Sequence, residues 1–487
     1  MNHDALYPGG YLEEEDKSMA DKGSENLKKG IILVFMANLI NLVISLLNGF
    51  ILPKYLAVDT YADIKTYQLY INYIGVLALG YADGIYLKYG GCKITDVPER
   101  NINLCRSNLL IFQSMMTAMF VIAGIVVNDK ILIAAAIVIV PINIVAAFKN
   151  ILQATGEFKY YSRIMNYTSV LTFIGTIVLL FVFKTDYSLY YIYVMCAVYY
   201  VVWFLMERKL IDDYHYKRYF SFSISDLWRN IKSGFVLMLG NFSSILMTSI
   251  DRWFVKFLLS TADFAYYSFV VSTEHLITIF INPIITTMYN YICIASDLRF
   301  IKKVKRMCLI FALFLVSSAF PIKFILEVYL TKYLASRYVL FILFSTEIFF
   351  MIIKGIYVNV YKARKQQDRY FKQLVITIVL GCIFNSIFYF LFGSNEGIAF
   401  ATLLSISVWY VICSVSVKEI APDWRELFVV IVSIIVFILC GFYIEAVIGF
   451  AIYIGVVLFL CLTLMRDDFI SLVNLALGML RKKIVHT

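Results

Sequence analysis

From residue 30 onward the chain repeats one pattern, a long apolar run followed by a short polar break. The runs lie near 30–52, 66–88, 107–127, 131–153, 164–184, 187–206, 233–259, 264–290, 307–330, 338–361, 373–393, 396–416, 427–445 and 447–465. Each is close to the roughly 20 residues that one helix needs to cross hydrocarbon. None shows the strict alternation over about 10 residues that marks a membrane barrel strand. The pattern predicts an all-α polytopic membrane protein with about 14 transmembrane helices. The last two runs are parted only by Ile444-Glu445-Ala446, so they form a tight hairpin. Residues 1–29 are polar (EEEDKS, DKGSENLKK) and read as a disordered cytosolic tail. A cleavable leader would instead set a short charged head directly before its apolar core.

Composition agrees with the pattern. The 487 residues are 61% hydrophobic and 16% charged, against roughly half and a quarter in soluble domains. Most of the 43 Lys and Arg residues fall on one side if both termini are cytosolic, including Arg208, Lys209, Lys217 and Arg218 in one loop and Arg299, Lys302, Lys303, Lys305 and Arg306 in another. That asymmetry sets the orientation. The net charge of +10 therefore sits on the cytosolic rim, where it either attracts anionic headgroups or only signals topology. No nucleic-acid motif accompanies it. The nine cysteines are scattered and read as small apolar packers, and the four histidines have no zinc spacing. The segment FISLVNLALGML after Asp468 suits a helix lying on the inner surface.

A shift of 203 residues lays NLINLVISLLNGFILPKYLAVDTYADIKT (38–66) over NFSSILMTSIDRWFVKFLLSTADFAYYSF (241–269), matching Asn38 with Asn241 and Asn48 with Asp251. A shift of 205 matches Lys149 with Lys354. Six spans per copy give both copies one orientation, so the repeat predicts two six-helix lobes related by a pseudo-two-fold axis along the membrane normal, with a cavity between them. The expected organisation is a tail (1–29), an N-lobe (30–206), a cytosolic inter-lobe loop (207–232), a C-lobe (233–416), two extra C-terminal helices (417–465) and a cytosolic amphipathic tail (466–487).

Ionised groups in spans are costly and mark function or pairing. Lys149 and Lys354 either snorkel to the inner surface or face a cavity. Their equivalence in the repeat favours the cavity, with Asn38 and Asn241 as further cavity-polar candidates. Asp251 and Arg252 diverge by about 100° on a helix, so they serve different surroundings. Glu274 and Glu347 are either an ion-coupling site or structural partners of the two lysines. His275 reads as a packing residue. Pro141, Pro283 and Pro321 are expected kinks. In GYADGIYLKYGG (80–91), Gly80 and Gly84 allow close backbone approach, and Asp83 reads as a gate or as a partner of Lys88 or Lys149.

GYADGIYLKYGG, ILQATGEFKYYS (151–162) and SIDRWFV (249–255) resemble the bacterial Wzx-like oligosaccharide flippases of the polysaccharide-export branch. These belong to the multidrug/oligosaccharidyl-lipid/polysaccharide exporter superfamily, which also holds the multidrug and toxin extruders and the lipid II flippase. The resemblance covers roughly residues 30–465. It implies an inner-membrane protein that moves an undecaprenyl-pyrophosphate-linked oligosaccharide outward by alternating access, for O-antigen, capsule or related polymers. It implies no cofactor, metal or covalent chemistry. Proton or sodium coupling and a polysaccharide polymerase machinery are the implied partners besides membrane lipids. In this frame Lys149, Lys354 and Arg252 take the headgroup phosphate, and Asp83, Asp251, Glu274 and Glu347 serve gating or ion coupling. A cation-coupled drug antiporter of the same superfamily is the nearest alternative. A membrane glycan polymerase or ligase is disfavoured by outer loops too short for a catalytic domain.

Overall fold

The computed structural model describes Met36, Leu39–Ile294 and Leu298–Val485. The N-terminal tail and Asn38 lie outside these residues. Helices account for nearly all of the described chain: α1 (Leu39–Tyr55), α2 (Val58–Ile71), α3 (Tyr81–Tyr89), α4 (Glu99–Val127), α5 (Lys130–Ile137), α6 (Ile139–Ala154), α7 (Phe158–Ile177), α8 (Ser188–Tyr214), α9 (Ile224–Met247), α10 (Ile250–Leu258), α11 (Thr261–Ile294), α12 (Leu298–Val316), α13 (Ala319–Val328), α14 (Ser336–Ile352), α15 (Val358–Ala363), α16 (Gln367–Phe392), α17 (Asn395–Ser416), α18 (Trp424–Tyr443), α19 (Ala446–Leu464) and α20 (Arg466–Val485). Among the described residues ten helical stretches are long and apolar enough to span a membrane, or eleven if α9 and α10 form one bent span. The protein is a polytopic all-α membrane protein.

Among the described residues the predicted runs are mostly helical, but the helices overrun the runs at their charged ends. α4 starts at Glu99, α8 ends at Tyr214, and α9 and α12 start at Ile224 and Leu298. Hydropathy marks the hydrocarbon slab, while backbone hydrogen bonding continues into the polar layer beyond it.

Two compact units emerge, Leu69–Leu239 with the chain before Leu46, and Gly240–Thr487 with Leu46–Gln68. In the N-terminal unit the second span departs from a single helix. It passes from a 3₁₀ turn (Ile74–Ala78) through left-handed Leu79 (φ 49°) and Gly80 (φ 86°) into α3. Such a break frees backbone carbonyls that water cannot reach. Two buried amides satisfy them. Asn143 of α6 donates to the Ile74 carbonyl at 3.2 Å and to Gln113 Oε1 at 2.8 Å, and Gln113 of α4 donates to the Leu77 carbonyl at 3.2 Å. Beyond the break α3 crosses α9 at backbone contact. A Cβ on Gly234 would lie 2.1 Å from the Gly80 carbonyl oxygen and 2.2 Å from the Gly84 nitrogen.

The loop between α8 and α9 is an ordered strap. The backbone N–H groups of Tyr219, Ser221 and Ser223 donate to Asn103, Ser107 and Asn108 of α4, at 3.0–3.1 Å, and that of Lys217 donates to Glu99. Alternate residues of an extended segment thus meet polar side chains on the inner turns of one helix.

The C-terminal unit is built around α14. It continues through a π turn (Ile353–Tyr357) into α15, and 94% of its apolar window is buried. A helix apolar on all sides belongs in the middle of a bundle. α18 and α19 join it through an aromatic cluster in which Phe341, Phe437 and Tyr453 meet at ring-centroid distances of 4.8 and 5.0 Å. Gly441 lets α18 sit directly on the Phe341 ring. The expected hairpin is present, and buried Lys323 of α13 donates to the Gly441 carbonyl at 2.9 Å and to that of Ile444, capping the end of α18. At the other end of α18 a buried Lys305–Glu426 pair (2.6 Å) is extended by Arg306, which reaches Asp423, Glu426 and, on α20, Asp468. The runs holding Pro141 and Pro321 break just before them, between α5 and α6 and between α12 and α13, because each proline leaves the carbonyl four residues back without its helical donor. α11 continues through Pro283.

Two outcomes test this packing by thermal unfolding of the purified protein in detergent. Asn143→Leu leaves the Ile74 carbonyl bare and is expected to cost about 1–3 kcal/mol. Gly234→Val drives two methyl groups into the α3 backbone and is expected to cost at least about 1–3 kcal/mol, whereas Gly240→Val, where a Cβ meets nothing within 4 Å, leaves the midpoint nearly unchanged.

Candidate substrate and ion site

The seventh span is broken. α9 and α10 meet at 52° across Thr248 and Ser249, and Asp251 and Arg252 fall in the first turn of α10. Asp251 is buried; its carboxylate accepts from the Tyr267 hydroxyl at 2.6 Å and from the Arg252 backbone N–H at 2.8 Å. Acid at a helix start is favoured by the unpaired N–H groups there. Arg252 points elsewhere, as the 100° offset predicts. Its Nε is buried with no hydrogen-bond partner, and among the described residues it makes no ion pair.

Behind this break lies a cavity of about 50 Å³, lined among others by Asp251, Glu274, His275, Thr346, Glu347 and Lys354. It is large enough for a few waters. Three helices supply the groups: α10 the aspartate, α11 Glu274 and His275, and α14 with its π turn the rest. The Glu274 and Glu347 carboxyls lie within hydrogen-bonding reach of each other, and Thr346 donates to Glu274 at 3.3 Å. Lys354 sits in the π turn, which adds a residue to the helix and re-aims the side chain. Its ammonium lies 4.3 Å from the centroid of the Phe350 ring. It is within electrostatic range of both glutamates without reaching ion-pair distance among the described residues.

Other residues fall differently. Lys149, half-buried on α6 of the N-terminal unit, has its ammonium 5.8 Å from the Tyr161 ring centroid and no ion pair among the described residues. Asp83 lies in the first turn of α3, beside the Gly80–Gly84 crossing. Five residues on, Lys88 points about 140° away and pairs with Asp226 of α9 at 3.8 Å, joining Arg229 at 2.7 Å. Asn241 is exposed on α9.

The sequence reading passed over Lys65. It falls one residue before the apolar run it borders, yet it is built into α2 of the C-terminal unit. There it donates to Gln68 at 3.0 Å, lies 5.2 Å from the Tyr61 ring centroid and comes within electrostatic range of Arg252. Lys65, Arg252 and Lys354 each lie within electrostatic range of His275, and of the three Lys354 lines the cavity. Asp226, Gln113 and Asn143 were likewise missed. Gln113 and Asn143 were signalled as polar residues inside apolar runs, whereas Asp226 lies in the polar stretch before the run that begins at 233.

No family model matches the chain, and no curated protein sequence matches it. Among solved structures, the lipid II flippase MurJ in an inward-closed conformation is similar over 90% of this chain and 99% of that one, at TM-score 0.68 and 16% identity. The chain shares the fold of that MurJ structure. An outward-facing multidrug resistance transporter of the MATE family matches 80% of this chain and 95% of its own at TM-score 0.46 and 15% identity. A MATE protein in complex with Br-NRF matches 80% and 94% at TM-score 0.43 and 16% identity. The all-α polytopic fold implied by GYADGIYLKYGG and its companions is present.

The facing carboxyls make a direct test possible. A hydrogen bond between two carboxyl groups needs a proton on one of them, and Gln supplies that donor permanently. Glu347→Gln is expected to hold the unfolding midpoint within about 0.5 kcal/mol of wild type, while Glu347→Ala leaves a void and an unpaired Glu274 and costs about 2–4 kcal/mol.

Proposed function

We propose that the protein is a flippase that carries a polyprenyl-pyrophosphate-linked oligosaccharide from the inner to the outer leaflet of a bacterial cytoplasmic membrane by alternating access, with both termini cytosolic. The observation that carries this reading is the set of basic side chains at membrane depth without ion pairs among the described residues: Lys149, Arg252 and Lys354. A cation left uncompensated in hydrocarbon is strongly unfavourable. A pyrophosphate headgroup supplies the missing charge, and the guanidinium Nε of Arg252 supplies an open donor for it. The glycan needs an aqueous chamber, and the polyprenyl tail stays in lipid. The MurJ-like fold supports the same class of cargo, since that protein is described as a flippase of lipid II.

In this reading Lys65 and Arg252 receive the phosphate together, and Lys149 and Lys354 hold it on the inward side. Glu274 and Glu347 carry the coupling proton. When the proton leaves, the pair becomes an acid centre that draws Lys354 toward itself and away from phosphate. Protonation and phosphate binding then alternate at one cavity. Asp83 and Asp251 act in gating. The polymer served, whether O-antigen or capsule, follows from the glycan and the polymerase machinery that the protein works beside.

One observation favours a second reading, exchange of an organic cation for protons: Asp251, Glu274 and Glu347 all line the cavity. Reconstituted vesicles separate the two. With a fluorescently labelled polyprenyl-pyrophosphate oligosaccharide, the wild type is expected to move the label to the opposite leaflet, and Lys149→Gln/Lys354→Gln is expected to slow this at least tenfold at equal protein level. Undiminished transfer by the double variant defeats the phosphate assignment. Efflux of a cationic dye without glycolipid movement establishes the antiporter.

A further inference from the structure

A second site lies wholly inside the N-terminal unit, in a crevice where α7 and α8 diverge. Its floor is apolar, with Leu152, Ile164 and Met206, and its rim carries Tyr160, Arg163 and Lys209. None of these residues lines the cavity described above. Two cations flank one ring. The Arg163 guanidinium lies 5.8 Å and the Lys209 ammonium 5.6 Å from the Tyr160 centroid, and Tyr214 meets that ring edge-on at 5.7 Å. Lys209 has one carboxylate, Asp213, at 3.4 Å. Arg163 has no ion pair among the described residues. Glu157 and Asp213 stand near the same tyrosines, so the cation left open at the rim is the Arg163 guanidinium.

The crevice sits at the ends of two spans, where Phe158 begins one and Tyr214 closes the other. This is headgroup level. Leu205 and Tyr167, on its flanks, are 36% and 39% exposed, so the apolar floor opens toward the surrounding bilayer. An apolar slot with an aromatic, cationic mouth at that depth matches a phospholipid in its parts, a chain below and a phosphate above. We propose that the α7–α8 crevice binds an anionic phospholipid of the phosphatidylglycerol type, its phosphate held by Arg163 and Lys209 and one acyl chain laid against Leu152, Ile164 and Met206. The Arg163 guanidinium, without an ion pair among the described residues, favours an anionic headgroup over a zwitterionic one of the same chain length.

The test uses the full-length protein in detergent, titrated with dioleoylphosphatidylglycerol or dioleoylphosphatidylcholine and read by native mass spectrometry. Wild type is expected to retain one phosphatidylglycerol with at least tenfold preference over phosphatidylcholine. Arg163→Gln/Lys209→Gln is expected to bring the two lipids to parity, while Lys302→Gln/Lys303→Gln, two exposed cations elsewhere, keeps the preference. If the double variant does not fold, Arg163→Gln alone is expected to reduce the preference at least threefold. Parity in wild type, or an unchanged preference in the Arg163 variants, overturns the proposal. Glycolipid transfer is not part of the readout, so the outcome is independent of the flippase reading.

Discussion

A charged side chain in a helix surrounded by hydrocarbon is tolerated only where something answers it, since its cost runs from a few kcal/mol upward. In this chain the answers take three forms. Lys323 is spent on the open carbonyls of α18, and Lys305 is matched by Glu426 at 2.6 Å. Others gather around the cavity of the C-terminal unit, which Asp251, Glu274, Glu347 and Lys354 line without closing into ion pairs among the described residues. The first two arrangements are complete within the protein and hold helices together. The third is incomplete, and incompleteness at membrane depth is what distinguishes a site from a brace.

Broken helices impose a parallel demand on the backbone. The second span unwinds at Ile74–Ala78 and the seventh bends at Thr248–Ser249. Non-helical backbone at membrane depth persists only where protein or a wet cavity satisfies it. The N-terminal unit meets the demand with the amides of Gln113 and Asn143. The seventh span uses its break differently, to present the first turn of α10, with Asp251, to the cavity of the unit. The same irregularity is structural in one place and site-forming in the other, and the residues that touch it decide which.

The MurJ-like fold and the local chemistry bear on different questions. Similarity at 16% identity speaks for the architecture. It does not choose a cargo. The choice rests on side chains, above all on cations without an ion pair among the described residues and on two glutamates that line one cavity. Phosphate export and cation exchange would use the same cavity with opposite emphasis, and the Gln substitutions on the lysines and on the glutamates pull these uses apart.

The periodic run of apolar segments determined the all-α membrane architecture, the approximate place of every span and the tight hairpin before α19, because burial in hydrocarbon is a local, additive demand written residue by residue. The glycines of GYADGIYLKYGG showed in advance that something approaches them closely. That the partner is Gly234, that Lys88 turns to Asp226, and that Lys65 joins Arg252 were decided only in three dimensions. Each depends on which helix lies beside which and on rotations accumulated through breaks that hydropathy does not register. The acid pair is the sharpest case. Glu274 and Glu347 are separated by more than seventy residues, each plausible alone as a structural partner for a lysine, and only the packing of α11 on α14 brings them to one cavity.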